Sequence, residues 1–212
     1  MCGIAGSLRL SDAPTDPETV IAMLGRIGHR GPDGAGYYVD DNAVLGNVRL
    51  SILDIASGQQ PMCDTLERFW ITYNGEIYNY LEIRKVLQAE GVRFRTNSDT
   101  EVVLNAWRQW GEASLSRLNG SFAFAIWDRD AQQLVLARDR FGKRPLFFLR
   151  HGGKFWFASE MKAFLEVPGF EFVPHRSQIA SIFACWTPLP TQSAWQGVGQ
   201  VPMAQIVRIG TD

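Results

Sequence analysis

The sequence predicts an α+β fold built on antiparallel sheets, and three observations carry that prediction. Short alternating apolar runs come as hairpin-length neighbours and do not alternate strictly with helices. Capped amphipathic segments interrupt those runs, with no internal repeat and no linker-like stretch. At 212 residues, 46% of them hydrophobic, the chain can bury roughly 70% of its unfolded surface and needs no staples.

The elements follow in order. Residues 4–10 alternate as a strand. Thr15 and Glu18 read as a capping box, Pro17 suits the first helical turn, and Val20, Leu24 and Ile27 form an apolar face that Gly28 ends. The glycine-rich run HRGPDGAG over residues 29–36 reads as a loop, followed by strands over 37–39 and 43–52 around an Asp-Asp-Asn turn. Residues 57–62 read as a loop, and 69–73 as a strand ending at Asn74-Gly75. Asn79 with Glu82 caps a helix that runs through Leu87 and ends at Gly91. Ser98-x-x-Glu101 caps another, whose face is Val102, Val103, Ala106, Trp107 and Trp110. Strands follow over 121–127, 134–138, 145–149 and 154–158, then a short helix over 160–165 that stops before Pro168-Gly169. The tail beyond Phe170 is less regular, with a helix over 179–186 and a strand over 205–209.

Charge and cysteine usage narrow the function classes. Lys+Arg is 21 and Asp+Glu is 22, a balance that argues against nucleic acid or an anionic membrane as partner. The odd set Cys2, Cys63 and Cys185 has no CxxC spacing, so no disulfide scaffold, zinc site or other metal site is expected. Cys63 and Cys185 read as buried small hydrophobes. No apolar run approaches a bilayer span, and the opening MCGIAGSLRLSD lacks a signal peptide's basic and apolar regions. A cytoplasmic location is expected.

Cys2 is the chemical oddity. If Met1 is removed, its thiol shares a residue with a free α-amino group, which near neutral pH can act as base for its own side chain. The alternative is an ordinary small residue opening a strand. Asn74-Gly75 reads either as a type I′ hairpin turn or as an oxyanion hole made of the Asn74 amide and the Gly75 N–H. Asp99 serves either the helix macrodipole or a substrate ammonium. Arg49, alone in an apolar strand, either snorkels or offers its two-donor fork to a carboxylate.

Nine pieces in order then resemble the glutaminase domain of glutamine-dependent asparagine synthetases, a class-II amidotransferase of the N-terminal-nucleophile type. They are MCGIAG, HRGPDG, RLSILD, QQPM, YNGEIYN, SDTE, GSFAFAIWD, RDRFGKRPLFF and FASEMKAF, spanning residues 1 to about 165. Other class-II amidotransferases share the Cys, Asn-Gly and SDTE logic, whereas RLSILD, QQPM and NGEIYN resemble the asparagine-synthetase branch. The resemblance implies a four-layer α/β/β/α sandwich over a single domain, residues 1–212, with its core in about 1–165. It implies Cys2 as nucleophile, Asn74 and Gly75 as oxyanion hole, and Arg49 on the glutamine α-carboxylate. Asp99 and Glu76 would face the α-ammonium, with Leu50, Ile52 and Leu53 lining the site.

The sequence departs from the family's R-D-R-x-G-x-K-P-L-Y in having Arg144 for Lys and Phe147 for Tyr, positions expected to lie outside the substrate's contacts. The SGGxDS-type loop of the family's ATP-pyrophosphatase domain does not occur in this sequence. No cofactor is therefore expected here, ATP and Mg belonging to a separate synthetase domain or subunit. The expected partners are L-glutamine and that synthetase part, on which the 170–212 tail would pack; a homo-oligomer is also open. Two rivals stand: a non-catalytic glutamine-binding domain of an assembly amidating another carboxylate, and a Cys–His dyad using His29, His151 or His175.

Overall fold

In the computed structural model, which describes residues 1–211, strands and helices sort into four layers. The first half of the chain runs β1 (Gly3–Arg9), α1 (Pro17–Arg26), β2 (Gly34–Val39), β3 (Ala43–Arg49), β4 (Met62–Cys63), β5 (Phe69–Ile77), α2 (Tyr80–Ala89) and α3 (Asp99–Trp110). The second half runs α4 (Ala113–Arg117), β6 (Gly120–Asp128), β7 (Gln133–Arg138), β8 (Phe147–His151), β9 (Lys154–Ala158), α5 (Arg176–Cys185), β10 (Val198–Gln200) and β11 (Ile206–Gly210).

Every named strand pairing is antiparallel. One sheet has the order β10-β8-β9-β1-β3-β2 and the other β11-β7-β6-β5-β4. Period-two alternation gives each sheet two apolar faces. Ile4, Leu8, Leu45, Phe155 and Phe157 of the first sheet meet Ala123, Ala125, Trp127, Leu134 and Leu136 of the second to form the central core. The outer faces are covered by helices: α1 buries Val20, Met23 and Leu24, with Ile27 just past its end, on one side, and α2 and α3 bury Ile83, Leu87, Val102, Val103 and Trp107 on the other. The result is the expected α/β/β/α sandwich. The tail adds an edge strand to each sheet, β10 to one and β11 to the other.

Local differences have local causes. Asp16, not Thr15, caps α1, accepting from the Thr19 N–H at 3.0 Å. The Asn79 side chain does not cap α2; its Oδ1 accepts from the Asn119 N–H at 2.9 Å and its amide donates to the Arg117 carbonyl at 3.0 Å. Ser98 does cap α3, but Glu101 turns to the N–H groups of Arg95 and Thr96 instead of completing the box. α5 spans Arg176–Cys185, three residues earlier than expected, and Trp186 ends it in a left-handed conformation (φ 62°). Cys185 is exposed and Cys63 half-buried, so neither is the core residue expected of it.

The largest departure is at Asn74-Gly75, which is no hairpin turn. β5 runs straight through it, pairing Asn74 with Ala123 and Gly75 with Phe122 of β6. A Cβ on Gly75 would stand 2.6 Å from the Ser121 carbonyl oxygen and 2.7 Å from the Phe122 Cα, so the close approach of the two strands requires glycine.

Candidate active site

At one end of the inter-sheet core the inward positions turn polar. Thr72 Oγ1 on β5 donates to the Gly46 carbonyl on β3 at 2.9 Å, and Asn47 Nδ2 donates to the Tyr73 carbonyl at 3.2 Å. There the start of β1, the end of β3 and the middle of β5 enclose a cleft of about 150 Å³. Cys2, Arg49, Leu50, Ile52, Leu53, Asn74, Gly75, Glu76 and Asp99 all line it, so every residue singled out from the sequence comes together. Ile52 and Glu76 are at the exposed rim, while Arg49, Asn74 and Asp99 are buried.

The Cys2 thiol lies against the backbone of Leu50, donating to its carbonyl at 3.6 Å and accepting from its N–H at 3.4 Å. The loop HRGPDG holds this junction from outside. Arg30 Nε donates to the Cys2 carbonyl at 2.9 Å and Nη1 to Glu160 at 2.8 Å, while Asp33 accepts from the Ser51 N–H at 2.7 Å. Arg30 is a positioning residue that the sequence reading left inside a loop motif; its signal was an arginine between glycine-bounded turns that no helix or strand needed.

Asn74 is 1% exposed, and its Nδ2 is buried without a hydrogen-bond partner. Buried amide donors are almost always paired, so this orphan marks a place where a ligand acceptor belongs. It sits beside the backbone of Gly75, and both line the cleft with the Cys2 thiol.

Arg49 does more than was expected. Its Nη1 donates to the Ile55 carbonyl at 3.0 Å and its Nη2 to the carbonyls of Leu53 and Asp54 at 3.0 and 2.7 Å. Three of the five guanidinium N–H donors thus shape the loop after β3, and the two left, on Nε and Nη1, are single donors and not the expected fork. Asp54, held below the usual carboxylate range first by the Asn97 N–H, ties the same loop to the start of α3.

Asp99 opens α3 with its carboxylate in the cleft, accepting from the Tyr73 hydroxyl at 2.7 Å and the Ile77 N–H at 3.0 Å. Burial pushes this carboxyl above its ordinary range, against the pull of those hydrogen bonds, and nearby Glu76 adds to the rise. A raised folded value means that ionisation costs stability as pH climbs through it, so at neutral pH the Asp99 charge is a standing cost. A bound ammonium would offset that cost. Asp99→Asn is therefore expected to leave Tm at pH 7 undiminished while raising KM for an ammonium-bearing substrate about ten- to a hundredfold, the worth of a lost charge-assisted hydrogen bond. Thermal melts beside a kinetic titration check both halves. In the native protein KM should climb as pH falls through the raised Asp99 value.

Gln60, Tyr73, Ser98, Thr100 and Arg144 also line the cleft and were not singled out as site residues. Gln60 Oε1 accepts from the Tyr73 N–H at 2.7 Å and its Nε2 donates to Thr100 at 3.2 Å, joining β5 to α3. Arg144 corrects an expectation: the substituted position in RDRFGKRPLFF is a wall of the cleft, not a remote packing site. Among the described residues no histidine lines it; His29 meets Glu160 at 3.1 Å, and His175 meets Ser177. That removes the Cys–His dyad.

A family model described as "Glutamine amidotransferase domain" matches residues 1–212. Among curated relatives, a glutamine-hydrolysing asparagine synthetase of Bacillus subtilis, asparagine synthetase 1, is 39% identical over 84% of this chain and 31% of its own length. Asparagine synthetase 3 of the same organism is 35% identical over 100% of this chain and 35% of its own length. The chain thus spans about a third of these relatives. Among solved structures, glutamine phosphoribosylpyrophosphate amidotransferase from B. subtilis superposes with a TM-score of 0.71 at 23% identity, over 99% of this chain and 47% of that one, a likeness of fold.

Proposed function

The chain belongs to the glutamine amidotransferase domain family, and from that premise we propose that its cleft hydrolyses L-glutamine to glutamate and ammonia through a thioester on Cys2. The observation that carries the mechanism is the orphaned Asn74 amide, a buried donor lining the same cleft as the only thiol there.

With Met1 removed, the Cys2 α-amine takes the thiol proton as sulfur attacks the γ-amide carbon. The C=O electrons move to oxygen, which is met by Asn74 Nδ2 and the Gly75 N–H. The intermediate collapses, the ammonium base returns its proton to the leaving nitrogen, and ammonia departs. Water then attacks the thioester, gives up a proton to the same amine, and glutamate is released with the thiol restored. Arg49 fixes the α-carboxylate, and Asp99 with Glu76 holds the α-ammonium. Leu50 and Leu53 flank the aliphatic stem, with Ile52 at the mouth.

The named activity of the relatives, and the two thirds of their length beyond this chain's match, support a wider reading: the ammonia feeds ATP-dependent amidation, of aspartate by preference. ATP and Mg then belong to a synthetase part, and the chemistry of this chain needs no cofactor. The docking face is the α5 stretch of the tail, where Phe183 is 85% and Trp186 94% exposed, while β10 and β11 belong to the sheets. Three unpaired cysteines suit a reducing, cytoplasmic setting. No helix among the described residues is long and apolar enough to cross a membrane.

The test is an assay of the purified chain lacking Met1. It should release glutamate and ammonia from glutamine in equal amounts, leave ATP untouched and form no asparagine from aspartate. Binding of glutamine with no ammonia release would leave a glutamine-binding domain and overturn the hydrolytic reading. Adding the matching synthetase part should couple the ammonia to ATP cleavage, and Trp186→Ser should weaken that coupling while leaving glutamine hydrolysis intact.

A further inference from the structure

The run RDRFGKRPL, from the end of β7 towards β8, builds a loop around the buried Asp139 and the half-buried Arg138 and places Arg144 in the wall of the cleft. Asp139, 1% exposed, accepts from the N–H groups of Phe141, Phe122, Lys143 and Arg144 at 2.9 to 3.2 Å. Arg138 donates from Nε to the Arg144 carbonyl at 2.7 Å and from Nη1 to the Val201 carbonyl at 2.9 Å. The backbone of Arg144 is therefore clamped on both sides, at its N–H and at its carbonyl.

Its side chain is not clamped in the same way. The one hydrogen bond of the Arg144 guanidinium among the described residues runs from Nε to the Ser121 carbonyl at 3.4 Å. None of the ion pairs among the described residues includes it. The Ser121 oxygen is also the atom that would stand 2.6 Å from a Cβ on Gly75. The cation thus bonds the carbonyl that packs closely on Gly75, and both residues line the cleft.

The charges lining the cleft explain why an unpaired cation there has consequences. Besides Cys2, its charged side chains are Arg49 and Arg144 against Glu76 and Asp99. Two cations balance two carboxylates before any chemistry begins. Attack moves the thiol proton to the Cys2 amine, so a negative charge develops first on sulfur and then on oxygen, with one ammonium formed beside it. Without Arg144, that charge would develop beside two carboxylates faced by Arg49 and the new ammonium alone, and Arg49 serves the loop carbonyls and the substrate carboxylate.

We propose that Arg144 is an electrostatic positioning residue of the reaction, the cation that balances the negative charge developing on the Cys2 sulfur and on the oxyanion beside Gly75. The proposal rests on the glutaminase reading for its substrate but not for its charge effect on the thiol. Burial and the Asp99 carboxylate push the Tyr73 hydroxyl well above the ordinary phenol range; Arg144 counters that push and Cys2 adds to it, so both bear on one group in the cleft. The other ionisable groups around the pair are the Cys2 α-amine itself, Arg30 on the Cys2 carbonyl, Asp99 on α3, Glu76 on β5, Arg49 on β3, Arg138 at the end of β7, and Asp139, Arg140 and Lys143 of the loop.

The experiment uses the chain lacking Met1, with Arg144→Met as a neutral side chain of similar length and Arg144→Lys as one that keeps the charge. Two rates are followed against pH: glutamine hydrolysis, and alkylation of Cys2 by iodoacetamide, which needs no glutamine. For Arg144→Met the expected results are a kcat about tenfold lower, KM within about threefold, and the acid side of both profiles displaced upward by about one pH unit, the effect of losing one nearby charge. Arg144→Lys should recover most of the loss. A wild-type alkylation profile in Arg144→Met overturns the proposal. So does a raised KM at unchanged kcat, which would put Arg144 on the substrate head group, or equal loss in both variants with a lowered Tm, which would make it a loop builder. A displaced alkylation profile in a chain that leaves glutamine intact supports the charge role of Arg144 and overturns the substrate reading instead.

Discussion

Cys2→Ala is expected to lower kcat for glutamine by on the order of 10⁵-fold or more, the scale of losing a covalent nucleophile, while glutamine still binds. The reason is the separation of roles around the cleft. Cys2 reaches it from the start of β1, whereas the groups for the substrate's head, Arg49 and Asp99, come from β3 and α3. Neither needs the thiol for its position: Arg49 is fixed by the carbonyls of Leu53, Asp54 and Ile55, and Asp99 by Tyr73 and Ile77. Calorimetric titration of the variant with glutamine, beside an ammonia assay, separates the two effects. Loss of binding together with turnover would place the thiol in substrate recognition. The same account predicts that a chain retaining Met1 is inactive, because the Cys2 nitrogen is then an amide and cannot accept a proton at neutral pH.

Asn74→Ala is the second large effect. Removal of one oxyanion donor typically costs about 10²–10³-fold in kcat. Here the donor is a buried amide nitrogen with no partner. Its removal takes no hydrogen bond from the resting protein, so stability should hold or rise slightly, and KM should stay within a few-fold. Asn74→Asp keeps the shape but replaces the donor with a third carboxylate in the cleft, and should be at least as damaging. Measured kcat, KM and Tm for the pair check the reading. A large rise in KM at constant kcat would move Asn74 from the reacting oxygen to the substrate's head.

Cys2, Arg49 and Asp99 stand out in the sequence as oddities against local pattern, while their roles, and Leu50, Ile52, Leu53 and Glu76 altogether, came from the resemblance. Arg49 breaks an apolar strand, Asp99 follows a capping serine, and Cys2 shares its residue with a potential base. The helices were legible for the same local reasons, since caps and apolar stripes lie within one or two turns. The central error was also local. Asn-Gly carries the φ freedom of a hairpin, and nothing within a few residues shows that Phe122, far along the chain, packs on Gly75 so closely that only glycine fits. Arg144 was missed on the same ground. Its place in the wall depends on Asp139 and Arg138 folding the loop back across β6, a set of contacts no periodicity encodes. Arg30 reads as loop chemistry until the fold puts its Nε on the Cys2 carbonyl.

The claim that everything else depends on is that glutamine becomes covalently attached to Cys2. The chain lacking Met1 is mixed with glutamine, quenched in acid within the first turnovers, digested and read by mass spectrometry. The account predicts a γ-glutamyl adduct on the N-terminal peptide that begins at Cys2, lost on treatment with hydroxylamine, with none on Cys63 or Cys185. A glutamyl group on either of those thiols, or ammonia released in a burst with Cys2 unmodified throughout, would contradict it.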